Sequence, residues 1–247
     1  MKTMIKIIRF FVRTLLFSAI FLFTTGFSFA KVNANQLENN VEKKLSSAYL
    51  EPFMISANQK GTVTVEGQVN TLFDKLKIDQ LISQVKGVRN INNKISINVE
   101  PTADDIIKNN IELELKRHNS ILEPEKIKVK VNNGIVNLSG TVTDFREKLL
   151  AQSIASWQNG VTDMTSSIKV SPPALATSDK NLKEIVGDIL ANHFSLEHNV
   201  RFDVSNGDVD LYGSAGSMYA KNHIQKAVQH VIGVKDVINE IRVVNNA

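Results

Sequence analysis

A single step of 73 residues organises almost the whole chain. Glycine recurs with this step at three positions of a repeating unit: Gly61, Gly134 and Gly207; Gly67, Gly140 and Gly213; Gly87, Gly160 and Gly233. Apolar residues follow the same step, as in Val63, Val136 and Val209. Because a fixed period marks a repeated structural unit, we expect three tandem copies of one module. The recurring glycines are expected to serve backbone geometry in each copy, not chemistry.

Each copy has the hydrophobic pattern of a helix, two strands, a second helix and a third strand. The opening helix carries apolar residues at every fourth position, such as Ile107, Ile111 and Leu115, which marks one buried face. Asn133-Gly134 and Asn206-Gly207 predict tight hairpin turns, because both residue types accept positive φ. The sequence therefore predicts an α+β fold of three tandem αββαβ modules, each a three-stranded mixed sheet with two helices packed on one face.

These modules are assigned to residues 35–100 (repeat 1), 103–170 (repeat 2) and 179–247 (repeat 3), with a Pro-containing linker at 171–178. The short connection between the first two repeats predicts a compact pair, and the longer linker predicts more freedom for repeat 3. In repeat 1, Phe53, Ile55 and Ala57 alternate in the opposite phase, which predicts a bulge or a shifted strand.

Two local predictions concern the ends of these elements. Asp104 and Asp105, and Ser178 and Asp179, are expected to cap the opening helices of repeats 2 and 3. The glycines that follow the second strands are expected to end the paired region and to let the second helix pass close.

The first 30 residues have the composition of an export signal. They hold Lys2, Lys6, Arg9 and Arg13 and no acidic residue, then an apolar run, then small residues up to Ser28-Phe29-Ala30. This order predicts a signal peptide cleaved near Ala30 and a periplasmic mature protein. The alternative is a retained anchor, because Thr14–Ala30 approaches the length of a short membrane helix.

The net charge of +4 belongs entirely to this leader, which contributes four of the 29 basic residues and none of the 25 acidic ones. The remaining chain is therefore balanced, which disfavours nucleic-acid binding. The chain has no cysteine, which excludes disulfides, thiolate catalysis and Cys-based zinc sites.

The repeated unit resembles the BON domain, a module of osmotically inducible periplasmic and other bacterial envelope proteins. The resemblance rests on the element order, on the Gly-Val step after each second helix, and on two matching segments, Val131–Gly140 and Val204–Gly213. It implies an envelope role, with phospholipid association and osmotic-stress tolerance as the leading ideas. The recurring residues of the family are mostly structural, so the resemblance implies no catalytic set.

The residue inventory argues against an enzyme. The sequence contains no Gly-x-Ser-x-Gly, no phosphate-binding Gly-x-x-x-x-Gly-Lys and no dinucleotide-binding Gly-x-Gly-x-x-Gly. His223 and His230 share a helix face but lack a metal-ligand partner at the i, i+4 spacing. We therefore expect a non-enzymatic protein with no cofactor, no metal and no catalytic residue.

A row of lysines in repeat 2 is the candidate contact with a partner. Lys126, Lys128 and Lys130 alternate with apolar residues, which predicts one outward face of a strand, and Lys169 of the last strand could join them. Such a stripe attracts anionic lipid headgroups. The alternative is that the lysines deter edge-to-edge aggregation of the strand.

Trp157, the only tryptophan, completes the candidate surface for lipid or partner. Its spacing from Ile154 favours packing in the core, and the alternative is an exposed ring at a membrane interface or in a partner pocket. The sequence thus predicts association with an anionic phospholipid surface or envelope proteins. An adaptor that binds proteins or peptidoglycan without lipid contact stays open, and so does the oligomeric state.

Overall fold

The computed structural model describes residues 31–50, 52–172, 178–195, 197 and 199–244. The predicted signal peptide lies outside these residues, and so does most of the predicted linker. None of the helices in the described part of the chain combines the length and apolar content needed to cross a bilayer.

Repeat 1 contains five elements in the predicted order. They are α1 (Ala34–Ser46), β1 (Met54–Ala57), β2 (Thr62–Val69), α2 (Leu72–Ser83) and β3 (Asn90–Ile97). Strand β1 pairs with β2 in antiparallel fashion, and β2 pairs with β3 in parallel. The connection from β2 through α2 to β3 is therefore the helical crossover that parallel strands require.

Repeat 2 has the same architecture. Its elements are α3 (Asp104–Arg117), β4 (Ile127–Asn132), β5 (Ile135–Val142), α4 (Phe145–Ser156) and β6 (Asp163–Val170), with a 3₁₀ turn at Pro124–Lys126 before β4. Repeat 3 follows with α5 (Asp179–His193), β7 (Val200–Ser205), β8 (Asp208–Ala215), α6 (Met218–Gln229), β9 (Asp236–Asn239) and β10 (Arg242–Val243). The α+β fold of three αββαβ modules is confirmed.

Repeat 3 differs in its last strand, which is divided into β9 and β10. Both pieces pair with β8 in parallel. At the break, the side-chain amide of Asn239 donates to the Lys221 carbonyl at 3.1 Å and accepts from the Ile241 N–H at 3.1 Å. A polar side chain on the inner face of this strand thus ties the sheet to helix α6.

Three apolar clusters form the core, one for each repeat. The opening helices bury the predicted stripes, with Leu37, Val41 and Leu45 in repeat 1 and Ile107, Ile111 and Leu115 in repeat 2. The cluster of repeat 3 draws all its members from that repeat. The cluster of repeat 2, by contrast, includes Leu72 from helix α2 of repeat 1.

Repeats 1 and 2 therefore share a packed boundary. Leu72 is 5% exposed, and beside it the ring of Phe73 stacks on Trp157 with centroids 4.1 Å apart and planes at 23°. Stacked rings of this kind contribute stability beyond the burial of their apolar area. These contacts agree with the expected compact pair, while the greater freedom of repeat 3 stays a prediction.

All nine recurring glycines have positive φ, between 74° and 157°. At the hairpin, a Cβ on Gly134 would lie 2.5 Å from the carbonyl oxygen of Gly160, so two of the periodic positions meet in space. Gly140 lies inside β5 opposite Ile127, the first residue of β4, and a Cβ there would overlap the Lys126 carbonyl oxygen. The expectation that this glycine lets a helix pass is wrong, because the close neighbour is the backbone before β4.

The first strand of repeat 1 is shifted by one residue, as its phase indicated. Ala57 pairs with Val63 in β1 and β2, whereas the corresponding pair of repeat 2 is Val131 and Val136. The turn of repeat 1 is thus one residue longer, and the Asn58 side chain accepts hydrogen bonds from the N–H groups of Lys60 and Thr62 inside it. Because of this extra residue, the odd-numbered side chains of β1 point toward the core in spite of their reversed phase.

The first-turn aspartates of the opening helices have a role that differs from the predicted capping. Ala103, not an aspartate, occupies the N-cap of α3, and Ser178 caps α5. Asp104 accepts from the N–H groups of Asn133 and Gly134 at 2.8 and 2.9 Å, and Asp179 binds Asn206 and Gly207 in the same way. Each carboxylate therefore fastens a helix to the hairpin turn of its own sheet.

Candidate functional site

Three lysines of repeat 2 share one face of its sheet. Lys128 and Lys130 lie on β4 and Lys169 on β6, and all three are exposed. Their neighbours in register on the middle strand are Ser139, Asn137 and Thr141. The alternate residues, such as Val129, enter the core below the helices. The lysines therefore occupy the face of the sheet that carries no helix, which we call the lysine face.

The charges on the lysine face are not neutralised locally. Within the described residues, none of these three lysines forms a salt bridge. The carboxylate nearest in strand register is Asp163, which starts β6 at the hairpin end. Lysine ammonium groups that lack an internal partner keep their charge available to an external anion.

Lys126 does not belong to this strand face. It ends the 3₁₀ turn before β4, and its ammonium group lies 2.6 Å from the Glu123 carboxylate. The prediction that Lys126 continues the strand alternation is therefore wrong, because the strand begins at Ile127. A lysine already paired with a glutamate attracts an external anion less strongly than a free one.

Trp157 lies in the other layer of repeat 2, away from the lysine face. It is the C-cap residue of helix α4, and its side chain remains 54% exposed while it stacks on Phe73. It is therefore neither a core residue nor a neighbour of the lysines. Its immediate partner is repeat 1 of the same chain.

Repeat 1 contains a cleft that has no equivalent in the sequence predictions. Its volume is about 480 Å³, and its lining comes from the loop before β1, the ends of β2 and β3, and the start of α2. The described lining residues are Tyr49, Leu50, Pro52, Phe53, Gln68, Val69, Asn70, Asp74 and Asn98.

A tyrosine–aspartate contact forms one side of this cleft. The Tyr49 hydroxyl donates to the Asp74 carboxylate at 3.2 Å, and the hydroxyl of Thr71 donates to the other oxygen of that carboxylate at 2.7 Å. Burial, followed by the negative charge and hydrogen bond of Asp74, raises the pKa of Tyr49 from 10.0 to about 12. The neutral phenol is thus the form that the folded repeat favours.

This shift predicts a loss of stability at alkaline pH. Since the folded pKa of Tyr49 exceeds the unfolded value, its contribution is present below about pH 10 and disappears as the pH rises to about 12. Ultraviolet absorbance of tyrosinate should show one component near pH 12 that Tyr49→Phe removes. A Tyr49→Phe variant whose titration still contains that component would contradict the assignment.

No group of three or more potential metal ligands occurs among the described residues. His223 instead makes edge contacts with the rings of Phe194 and Tyr219, at centroid distances of 5.7 and 5.0 Å. His223 on helix α6 thus packs against aromatic rings, and His230, the C-cap residue of the helix, contacts the Lys226 carbonyl.

Comparison with protein-family models gives one family for all three repeats. The BON domain model matches residues 33–99, 103–172 and 178–245, which is most of the chain. The chain belongs to the BON domain family. The αββαβ unit, its periodic glycines and its hairpin turns are thus the BON module repeated three times.

Among known proteins, the chain is similar to osmotically-inducible protein Y of Escherichia coli (strain K12). The two are 23% identical over 207 residues, which cover 81% of this chain and 96% of the relative.

Solved structures similar to this BON protein include the C-terminal domain of CdsD, described as a structural protein of the type III secretion system of Chlamydia trachomatis. It is 15% identical, with a TM-score of 0.24, and the match covers 86% of this chain and 100% of that domain. The periplasmic domain of PrgH is 10% identical, with a TM-score of 0.21, over 81% and 98% of the two chains.

The three BON modules differ at the residues that line the cleft of the first. Most cleft residues of the first module change along the 73-residue period, as Tyr49 corresponds to Leu122 and Asn98 to Ser171, whereas Val69 is kept as Val142 and Asp74 is replaced by another acid, Glu147. Glu147 is buried and accepts a hydrogen bond from Thr143. The signal available in the sequence was the reversed phase of Phe53, which marks where the first module departs from the others.

Proposed function

We propose that this protein is an exported, non-enzymatic component of the bacterial envelope whose second BON module associates with anionic phospholipid surfaces. The observation that carries the proposal is the lysine face, on which Lys128, Lys130 and Lys169 are exposed together without a salt bridge to any described residue. The leader composition and the kinship with an osmotically inducible protein support a periplasmic place of action and a role in osmotic stress.

The expected attraction is modest and sensitive to salt. A basic residue near an anionic membrane contributes about 1 kcal/mol, so three lysines contribute about 3 kcal/mol. At physiological ionic strength the screening length is about 8 Å, so the lysines act only when the sheet face approaches the headgroups closely. Such binding is reversible and peripheral.

The decisive experiment reverses the charge of the lysine face. The variant Lys128→Glu, Lys130→Glu, Lys169→Glu should lose flotation with vesicles that contain phosphatidylglycerol at low salt, because attraction becomes repulsion. Glutamates also keep the strand edge charged, so any protection against edge-to-edge aggregation is preserved. Sedimentation of the variant should accordingly show no increase in aggregates.

A matched control changes the same number of lysines elsewhere. Lys43, Lys77 and Lys86 are exposed on the first module, and their replacement by glutamate gives the same net charge. This control should float with the vesicles as the wild type does. Equal binding by wild type and the lysine-face variant would overturn the proposal, and so would equal loss in both variants, because only net charge would then matter.

A further inference from the structure

The cleft of the first BON module has the position and size of a ligand site. Strand β2 contributes its last two residues, Gln68 and Val69, to the lining. Asn70 and Asn98 directly follow β2 and β3. These are the carboxyl ends of two parallel strands, and in open α/β sheets such ends border the ligand-binding crevice. The volume of about 480 Å³ falls within the range of small-molecule pockets.

Two aromatic rings form the apolar wall of the cleft. Tyr49 and Phe53 meet edge to face with centroids 5.7 Å apart, and both are half-buried. The Phe53 ring lies over Gly67, where a Cβ would come within 2.6 Å of it. In the other modules, backbone carbonyls of Lys126 and Asn199 approach the corresponding glycines. The shifted strand of the first module thus replaces backbone with an aromatic ring.

Side-chain amides form the polar part of the lining. Gln68, Asn70 and Asn98 are exposed and have no side-chain hydrogen bond to another described residue. Each amide offers both donors and an acceptor. Among the described lining residues Asp74 provides the single carboxylate, and no lysine, arginine or histidine is present. A lining of this composition does not favour an anionic ligand, because nothing in it compensates negative charge.

We propose that this cleft binds a neutral saccharide. A sugar ring presents hydroxyl groups around its edge, which match the amides and the Asp74 carboxylate, and C–H groups on its faces, which match the electron-rich faces of aromatic rings. The inference does not depend on lipid association, because the cleft and the lysine face belong to different modules.

Saturation-transfer NMR on the whole protein tests the site with two neutral probes. The β-1,4-linked dimer of N-acetylglucosamine represents a glycan strand, and trehalose represents a free disaccharide. Saturation transfer to either probe supports the site. The probe that binds more tightly shows whether the ligand is a glycan strand or a free disaccharide. A charge comparison uses glucose and glucose 6-phosphate, of which the phosphorylated sugar should bind more weakly because the described lining offers a carboxylate and no cation.

Two substitutions make the test specific to the cleft. Asn98→Ala should weaken binding of the preferred probe about fivefold, the factor that one neutral hydrogen bond provides, and Gln68→Ala offers an independent second variant. Ser171→Ala, at the corresponding position of the second module, should leave the affinity unchanged, as should the lysine-face variant. Absence of transfer to both probes at millimolar concentration overturns the proposal. Affinities that neither cleft variant changes, or tighter binding of the phosphorylated sugar, also overturn it.

Discussion

Replacing Gly213 by alanine should destabilise the third module by about 3 kcal/mol. Gly213 has a φ of 103° within β8, a conformation that costs a side-chain-bearing residue about 1–2 kcal/mol. The new Cβ would also overlap the Asn199 carbonyl oxygen, and relief of such overpacking costs about 1–3 kcal/mol. The sum of about 3 kcal/mol is a third or more of the stability of a module of roughly 70 residues, about 3–10 kcal/mol.

A second glycine of the same module provides the control with the opposite sign. Gly187 lies within helix α5, and the nearest atom to an added Cβ is the Phe202 Cζ at 3.8 Å. Gly187→Ala should therefore stabilise the module by about 0.5–1 kcal/mol, since alanine is the better helix former. Neither effect involves the first two modules, whose core clusters contain no residue of the third among the described residues.

Hydrogen exchange measured by mass spectrometry separates the modules by their peptides. Protection of the β8 amides should fall by more than a hundredfold in Gly213→Ala, the factor that corresponds to about 3 kcal/mol, and should rise in Gly187→Ala. Protection of the β5 amides should stay unchanged in both variants. A Gly213→Ala variant with wild-type protection in β8 would mean that the periodic glycines are not required by backbone geometry.

The 73-residue period made most of the fold predictable. Periodic glycines and alternating apolar residues report backbone conformation and burial, and both are local properties of the chain. The positive φ of Gly134 and the burial of Val129 were therefore foreseeable. The shift of the first strand of repeat 1 was partly predictable, because apolar residues in the reversed phase can face the core only if the strand changes its register.

Contacts between distant elements were not predictable in this way. Asp104 stands where a helix cap is expected, yet it binds the hairpin at Asn133 and Gly134, about 30 residues later. Likewise, Lys126 has the alternation of a strand residue, but it ends the 3₁₀ turn Pro124–Lys126 and pairs with Glu123. The cleft depends on where the ring of Phe53 comes to rest, which is decided by packing and not by any local pattern.

The candidate surface shows the same limit. The lysines of β4 and β6 were correctly expected on one outward face, because strand alternation is local. Trp157 was joined to them because an exposed tryptophan ring suits a membrane interface or a partner pocket. Its actual neighbour, Phe73, comes from another module, and the sequence carries no periodic signal for a contact between modules.

Replacing Leu72 by alanine should destabilise the second module although the residue belongs to the first. Leu72 is 5% exposed and packs within the core cluster of the second module. Truncation of a buried leucine costs about 2–5 kcal/mol, and we expect about 2–3 kcal/mol because a module boundary relaxes more easily than an enclosed core. The loss should lower the denaturant concentration at which the second module unfolds.

Trp157 makes this prediction directly measurable. As the only tryptophan, it reports by fluorescence on the second module and on its stack with Phe73. Urea unfolding followed at Trp157 should shift to lower concentration in Leu72→Ala. Leu76→Ala, one turn further along the same helix and 47% exposed, should change the free energy of unfolding by less than about 0.5 kcal/mol.

The comparison decides whether the first two modules behave as one thermodynamic unit. If they are coupled, loss of the Leu72 side chain removes apolar burial from the second module and loosens the stack of Trp157 on Phe73. The urea midpoint and the native-state emission of Trp157 then change together. Equal midpoints for Leu72→Ala, Leu76→Ala and wild type would show that the boundary contributes nothing to stability. The two modules would then be independent domains that merely touch.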